Sequence, residues 1–218
     1  MAVLAIALLT VTACGQVSEP TEGQAPAVLS TSAGAADEMQ GAPLAQPLVL
    51  AGPVADQVFQ TSDGGTTTLG ELGQGHLLLL YFGYTNCPDV CPTTLATISI
   101  ALSQLPADVV ADVRVAMVTA DPERDTPAVL ADYLSHFDGG NDAAFVGLHA
   151  PLAEVHALGS ALDVPLSAPV VTDDGTVIVD HGAQVIGFVD GRADTLWLGS
   201  TSSATYAHDL TLLDRQLR

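Results

Sequence analysis

The chain has 218 residues, 48% of them apolar, which is enough for one compact domain with a sizeable core plus additional segments. Its 25 acidic residues face 5 arginines and no lysine, for a formal charge of -20. That balance excludes nucleic acid as a partner, since phosphates are held by Lys and Arg through counterion release, and it equally excludes an electrostatic hold on an anionic membrane surface.

Residues 1–13 are almost entirely Ala, Val, Leu and Ile, closed by Thr12-Ala13. The run is too short to span a bilayer, which needs about 20 residues, and fits the apolar region of a secretory signal. The segment Val11-Thr12-Ala13-Cys14 resembles a bacterial lipobox. That likeness implies a lipoprotein signal peptide over residues 1–14, a lipidated Cys14, and anchoring at the outer face of the cytoplasmic membrane, where several acyl chains together hold firmly. One departure is that no Lys or Arg precedes the apolar run; the first basic residue is Arg114. Residues 15–47 are rich in Ala, Ser, Thr, Gly, Pro, Gln and Glu with no helical or strand period, and read as a flexible linker that cannot offset its ordering entropy by burial.

The texture changes near Leu48, and residues 48–218 are expected to form the folded domain. Val58-Phe59-Gln60 and Thr66 to Leu69 flank Asp63-Gly64-Gly65, a hairpin signal. Leu77 to Phe82 is an unbroken apolar run, as expected of a central strand buried on both faces. Leu95, Ile98, Leu102 and Leu105 keep helical spacing, and Val113 to Val118 is a second buried strand. Thr126-Pro127 opens a helix whose apolar face is Val129, Leu130, Tyr133, Leu134 and Phe137. Phe145 to Leu148 reads as a strand, and Pro151 opens a helix through Leu152, Val155, Leu158 and Leu162. Val177 to Val179 and Val185 to Val189 are expected as two strands joined by Asp180 to Gln184, followed by a strand over Thr195 to Leu198 and a last helix through Tyr206, Leu210, Leu213 and Leu217. Strands linked through helices are parallel and hairpins are antiparallel, so the expected fold class is α/β. The expected architecture is a thioredoxin-like mixed sheet flanked by helices, with an N-terminal β-hairpin extension.

The domain holds two cysteines, Cys87 and Cys91, too few to staple it by disulfides. They lie after the central strand and open a helix, at the sheet edge where α/β folds place their chemistry. Free N–H groups and the partial positive charge of a helix start favour thiolate, the form that binds metal or attacks a disulfide. One turn apart, the sulfurs can face the same side and grip one ion or close a bridge. Two thiolates suit a soft ion such as Cu(I), and a cysteine-rich structural zinc site is excluded. A small structural disulfide is the plainer alternative, but a bridge closing so few residues contributes little.

The run Tyr81-Phe82-Gly83-Tyr84-Thr85-Asn86-Cys87-Pro88-Asp89-Val90-Cys91-Pro92 resembles the signature of the Sco (SenC) family. Asp121 to Pro127 and Val179-Asp180-His181 resemble two further segments of that family, in the same order. The resemblance implies a copper site, for Cu(I) or Cu(II), made by Cys87, Cys91 and His181. It also implies a metallochaperone that assists assembly of the binuclear copper centre of cytochrome c oxidase subunit II, by delivering copper, by reducing the acceptor's cysteines, or both. Asp180 then has two readings, a group that orients the imidazole or a turn residue. Asp121 and Asp125 read first as a loop acid and a helix start, second as groups that steer copper or a partner. His76, His136, His149, His156 and His208 sit at strand ends or within helices and read as ordinary. The main competing function is a thiol–disulfide oxidoreductase with Cys87 as nucleophile and Cys91 as resolver. Its usual C-x-x-C spacing is not met, and it gives His181 no role. A thiol peroxidase fits poorly because its threonine–cysteine pattern does not align on Cys87. A non-catalytic copper sensor is a fourth alternative.

Overall fold

The computed structural model describes residues 39–139, 145–173 and 175–218; the leader, Cys14 and the linker up to residue 38 lie outside the described residues. The chain runs β1 (Ala42–Val49), α1 (Gly52–Asp56), β2 (Val58–Thr61), β3 (Thr66–Thr68), α2 (Leu69–Gly73), β4 (Leu77–Gly83), α3 (Val90–Ser103), α4 (Ala107–Asp112) and β5 (Val113–Thr119). It continues with α5 (Pro127–Leu134), β6 (Phe145–His149), α6 (Leu152–Ala161), β7 (Val170–Val171), β8 (Val177–Ile178), β9 (Val185–Val189), β10 (Arg192–Trp197) and α7 (Ser203–Leu217).

The main sheet has eight strands in the order β1-β10-β9-β4-β5-β6-β2-β3. β4, β5 and β6 are parallel, as the connecting helices α3 and α5 require, and the other pairings are antiparallel. The expected β2–β3 hairpin lies at one edge, with Val58 opposite Thr68. β4 occupies the centre because all seven of its residues are buried. Side chains alternate across a strand, so β4 feeds two cores. Leu77, Leu79 and Tyr81 pack with Leu95 and Ile98 of α3 and with Tyr206, Leu210 and Leu213 of α7. Leu78, Leu80 and Phe82 pack on the other face with Val155 and Leu158 of α6 and with Leu162 at its C-terminal cap. Full burial of each such side chain stabilises the fold by about 1.5–3 kcal/mol relative to exposure. A polar residue anywhere in β4 has no solvent-facing side to occupy.

Short helices α1, α2 and α4 and strand β7 are additions to the expected elements, and two further differences bear on the sheet and the site. The first is β1, which begins at Ala42, before the expected domain start at Leu48. Prolines at 43 and 47 remove two ladder donors, so the segment reads as non-strand; such a strand is tolerated only at a sheet edge, and its pairing with β10 slips between Pro43 and Leu48. Just before it, the fully buried carboxylate of Asp209 on α7 accepts from Gln40 N (2.8 Å), Gly41 N (2.7 Å) and Trp197 Nε1 (2.9 Å).

The second is the partner of residues 177–178. They do not form a hairpin with Val185–Val189; β8 pairs with β7 in a separate two-stranded sheet. Thr172 N donates to Thr176 O at 2.8 Å, and Gly175 takes a left-handed φ of 84° that a side chain would resist. The solvent decides between the two arrangements. β9 is buried at every position and belongs beside β4, whereas Val170, Val171 and Ile178 are exposed. Among the described residues, no helix is long and apolar enough to cross a membrane.

Candidate metal centre

β4 ends at Gly83, and the chain turns through Tyr84 to Asp89 before α3 begins at Val90. Cys87 therefore sits in the loop, at the rim of the core, and Cys91 sits in the first turn of the helix, fully buried. Cys87 N donates to Tyr84 O at 3.2 Å, which closes the turn. Asp89 is the residue before the helix, exposed, and its side chain makes no capping bond; its carbonyl accepts from Thr93 N and Thr93 Oγ1.

The loop is held from the next strand. Fully buried Asp125 accepts from Thr85 N (3.0 Å) and Thr85 Oγ1 (2.5 Å), and also from Thr119 Oγ1 at the end of β5 (2.7 Å). The helix start expected at Asp125-Thr126 is Thr126 alone, whose hydroxyl accepts from Val129 N. That leaves Asp125 free to turn inward and tie the cysteine loop to the sheet. Asp121 pairs with Arg124 beneath it.

His181 arrives from the small β7–β8 hairpin. An isolated bridge pairs it with Leu166, and Gly182 N donates to Pro165 O at 3.1 Å. Its imidazole enters a wall of two tyrosines, edge-on to Tyr81 (centroids 6.0 Å apart) and to Tyr84 (5.7 Å apart). The Tyr84 side chain also bonds the backbone of Val179, which joins the cysteine loop to the hairpin. Nε2 of His181 lies 3.3 Å from Cys91 Sγ, and Nδ1 lies 3.2 Å from the Gly182 carbonyl. A carbonyl can only accept, so the Gly182 contact favours the tautomer with the proton on Nδ1. Burial holds the ring below its usual pKa and hence neutral, which leaves the Nε2 lone pair facing the sulfur. Asp180 is exposed and is not the hydrogen-bond partner of Nδ1; that partner is the Gly182 carbonyl.

Burial also pushes the Cys91 thiol up to about 12, against the lowering effect of hydrogen bonds from Tyr81 and from the Tyr84 backbone. Tyr81 Oη lies 3.3 Å from Cys91 Sγ in a buried contact. Gly83 makes this crowding possible: a Cβ there meets Tyr81 Cε1 at 2.7 Å, Cys91 Sγ at 3.0 Å and Met117 Cε at 3.2 Å.

Cys87 Sγ, Cys91 Sγ and a ring nitrogen of His181 all lie within 4.8 Å of one another, and both cysteines are free thiols. Donors bound to one ion at about 2.0–2.3 Å stand roughly 3.5–4 Å apart in a trigonal site, so small side-chain shifts suffice to seat an ion. The set of two sulfurs and one unprotonated imidazole favours a soft or borderline ion. This is the one metal-competent cluster among the described residues. The other histidines have separate surroundings: His136 faces the Tyr133 carbonyl, His149 the Pro122 carbonyl and His208 the Asp209 carboxylate. Sequence reasoning left Tyr81, Gly83, Tyr84 and the inward role of Asp125 unassigned. A lone Tyr ending an aliphatic run was the available signal, because a buried phenol seeks a partner.

The SCO1/SenC family model matches residues 56–213. A mitochondrial SCO2 homolog of Danio rerio is 37% identical over 112 residues, which cover 51% of this chain and 39% of that relative. Across the leading curated relatives the chain spans 31–57% of their length. A structure of Bradyrhizobium japonicum ScoI with copper bound is 31% identical, with a TM-score of 0.62 over 78% of this chain and 97% of that one. The solution structure of apo Sco1 from Thermus thermophilus is 29% identical, with a TM-score of 0.61 over 83% and 96%. These neighbours share the thioredoxin-like arrangement of a mixed sheet flanked by helices.

Proposed function

Because the chain belongs to the SCO1/SenC family, we propose that it is a copper carrier in which Cys87, Cys91 and His181 hold one copper ion as cargo for the binuclear centre of cytochrome c oxidase subunit II. The observation that carries this reading is the convergence of the three donor atoms within 4.8 Å, from a loop, a helix start and a separate hairpin. A redox pair alone has no use for the imidazole. Uptake displaces the protons of both thiols, since metals bind thiolate and not thiol. The soft sulfurs favour Cu(I), and the imidazole allows Cu(II) as well. The ScoI of Bradyrhizobium japonicum, which shares 31% of its residues with this chain, has a structure with copper bound.

The thiols support a second reading. Cys87 and Cys91 are free and close, so they can reduce an acceptor disulfide: two electrons and two protons pass to the acceptor sulfurs, and a Cys87–Cys91 disulfide forms. The lipobox-like segment at Cys14 supports attachment to the outer face of the cytoplasmic membrane. Cys14→Ser is expected to release the protein from membranes, and unaltered retention overturns the anchor.

The test is copper stoichiometry and absorption of the thiol-reduced protein beside His181→Ala. One ion per chain, with affinity reduced at least tenfold in the variant, is expected. Equal affinity in the two proteins removes His181 from the site. Uptake of no copper, with full activity in reducing a disulfide-containing acceptor, leaves only the redox reading.

A further inference from the structure

On the copper-carrier reading, we propose that Tyr81 is a positioning residue of the centre: its phenolic O–H donates to the Cys91 sulfur and weakens that sulfur as a copper donor, shifting the balance toward Cu(I). The contact joins two fully buried side chains at 3.3 Å. The same phenol ring stands edge-on to the His181 imidazole at an interplanar angle of 84°. One side chain thus touches two of the three donors.

Its placement is rigid. Tyr81 is in register with Met117 of β5 on one side and Val185 of β9 on the other. Two residues on, the absence of a side chain at Gly83 is what lets ring and sulfur approach, because a Cβ there overlaps both. Bulk water does not reach the contact to compete for the sulfur. Tyr84 N–H reaches the same sulfur from the backbone, so the Tyr81 bond is the one that a side-chain change can remove.

A hydrogen bond to a metal-bound thiolate draws electron density from the sulfur, and groups outside the ligand set tune a copper–thiolate centre in this way. Removing it raises the energy of the sulfur lone pair. Sulfur-to-Cu(II) charge transfer then needs less energy, and Cu(II) gains on Cu(I). Hydrogen bonds to charged groups are strong enough to change an affinity ratio by about tenfold.

The experiment compares the wild-type protein with Tyr81→Phe and Tyr206→Phe. The second variant removes a buried hydroxyl from the same core, where Tyr206 packs on Trp197. Each protein is reduced, checked for its unfolding midpoint, and loaded separately with Cu(I) and Cu(II). Tyr81→Phe is expected to keep one ion per chain. Its charge-transfer band moves to longer wavelength, and its Cu(I)-to-Cu(II) affinity ratio falls about tenfold. Tyr206→Phe is expected to change neither. A band and ratio that Tyr81→Phe leaves at wild-type values overturn the inference alone. Equal shifts in both variants reduce Tyr81 to general packing and overturn it too. A wild-type protein that takes up no copper overturns the carrier reading, and the inference with it.

Discussion

Replacing Asp125 with Ala tests whether the cysteine loop is held in place from β5. The carboxylate is fully buried and accepts from Thr85 N, Thr85 Oγ1 and Thr119 Oγ1. Its removal leaves the buried Thr119 hydroxyl with no acceptor there, while the half-buried Thr85 donors can turn to water. A buried donor left unpaired costs about 1–3 kcal/mol, and losing bonds to a charged acceptor adds to that. A total of roughly 2–4 kcal/mol follows. For a domain of this size each kcal/mol lowers Tm by about 2–4 °C, so a fall of roughly 4–16 °C is expected. Urea unfolding reads the same change as a lower midpoint at unchanged slope. The functional effect goes further than stability. Thr85 lies two residues before Cys87, so a loosened loop costs copper affinity even in protein that is still fully folded at the assay temperature. A variant within about 0.5 kcal/mol of wild type, with unaltered copper affinity, refutes the reasoning and returns Asp125 to the role of a helix-start residue.

Three other outcomes are expected. Gly83→Ala places a Cβ 2.7 Å from the Tyr81 ring and 3.0 Å from Cys91 Sγ; overpacking of this kind costs about 1–3 kcal/mol, and a displaced sulfur lowers copper affinity, both read by titration of the folded variant. Copper uptake should release protons and strengthen as pH rises. The Cys91 thiol sits at about 12 without metal, so throughout the accessible range below that value ionising it costs affinity, about tenfold per pH unit. Burial holds His181 below its usual pKa, so it imposes no such loss near neutrality, and an affinity independent of pH argues that Cys91 is not a ligand. Asp209→Ala orphans the indole N–H of the sole tryptophan together with Gln40 N and Gly41 N. Altered Trp197 fluorescence and faster proteolysis near residue 40 are the readouts, and unchanged values for both remove Asp209 as the clamp.

The centre of the fold was legible because burial leaves a mark on composition. β4 is apolar at every position between two turn signals, and the helix after it keeps a regular apolar face. The two cysteines at that junction, and the later His181, could be named before any geometry was known. What escaped notice depends on tertiary context. β1 carries prolines that a central strand cannot hold and an edge strand can, and nothing local says which edge awaits it. Local pattern pairs the strand before His181 with β9, whereas its partner is β7. Val177-Ile178 and Val185 to Val189 look alike in sequence, while only the second is buried. The turn residues Asp173 and Gly175 were the available sign that β8 folds back on β7. Asp125 beside Thr126 looked like half of a cap; only the third dimension shows one residue facing the helix and the other the core.

The donors are mounted on parts of unequal stiffness. Cys91 rides on a helix of 14 residues seated under the middle of the sheet, so withdrawing its sulfur means disturbing the core. His181 follows a separate two-stranded hairpin, tied by Ser167 N to Asp180 O and Gly182 N to Pro165 O and set against the core through Val179. On the copper-carrier reading, displacing that hairpin would draw off the nitrogen while the sulfur of Cys91 stayed seated in the core, so the imidazole is the donor that an incoming ligand would replace first.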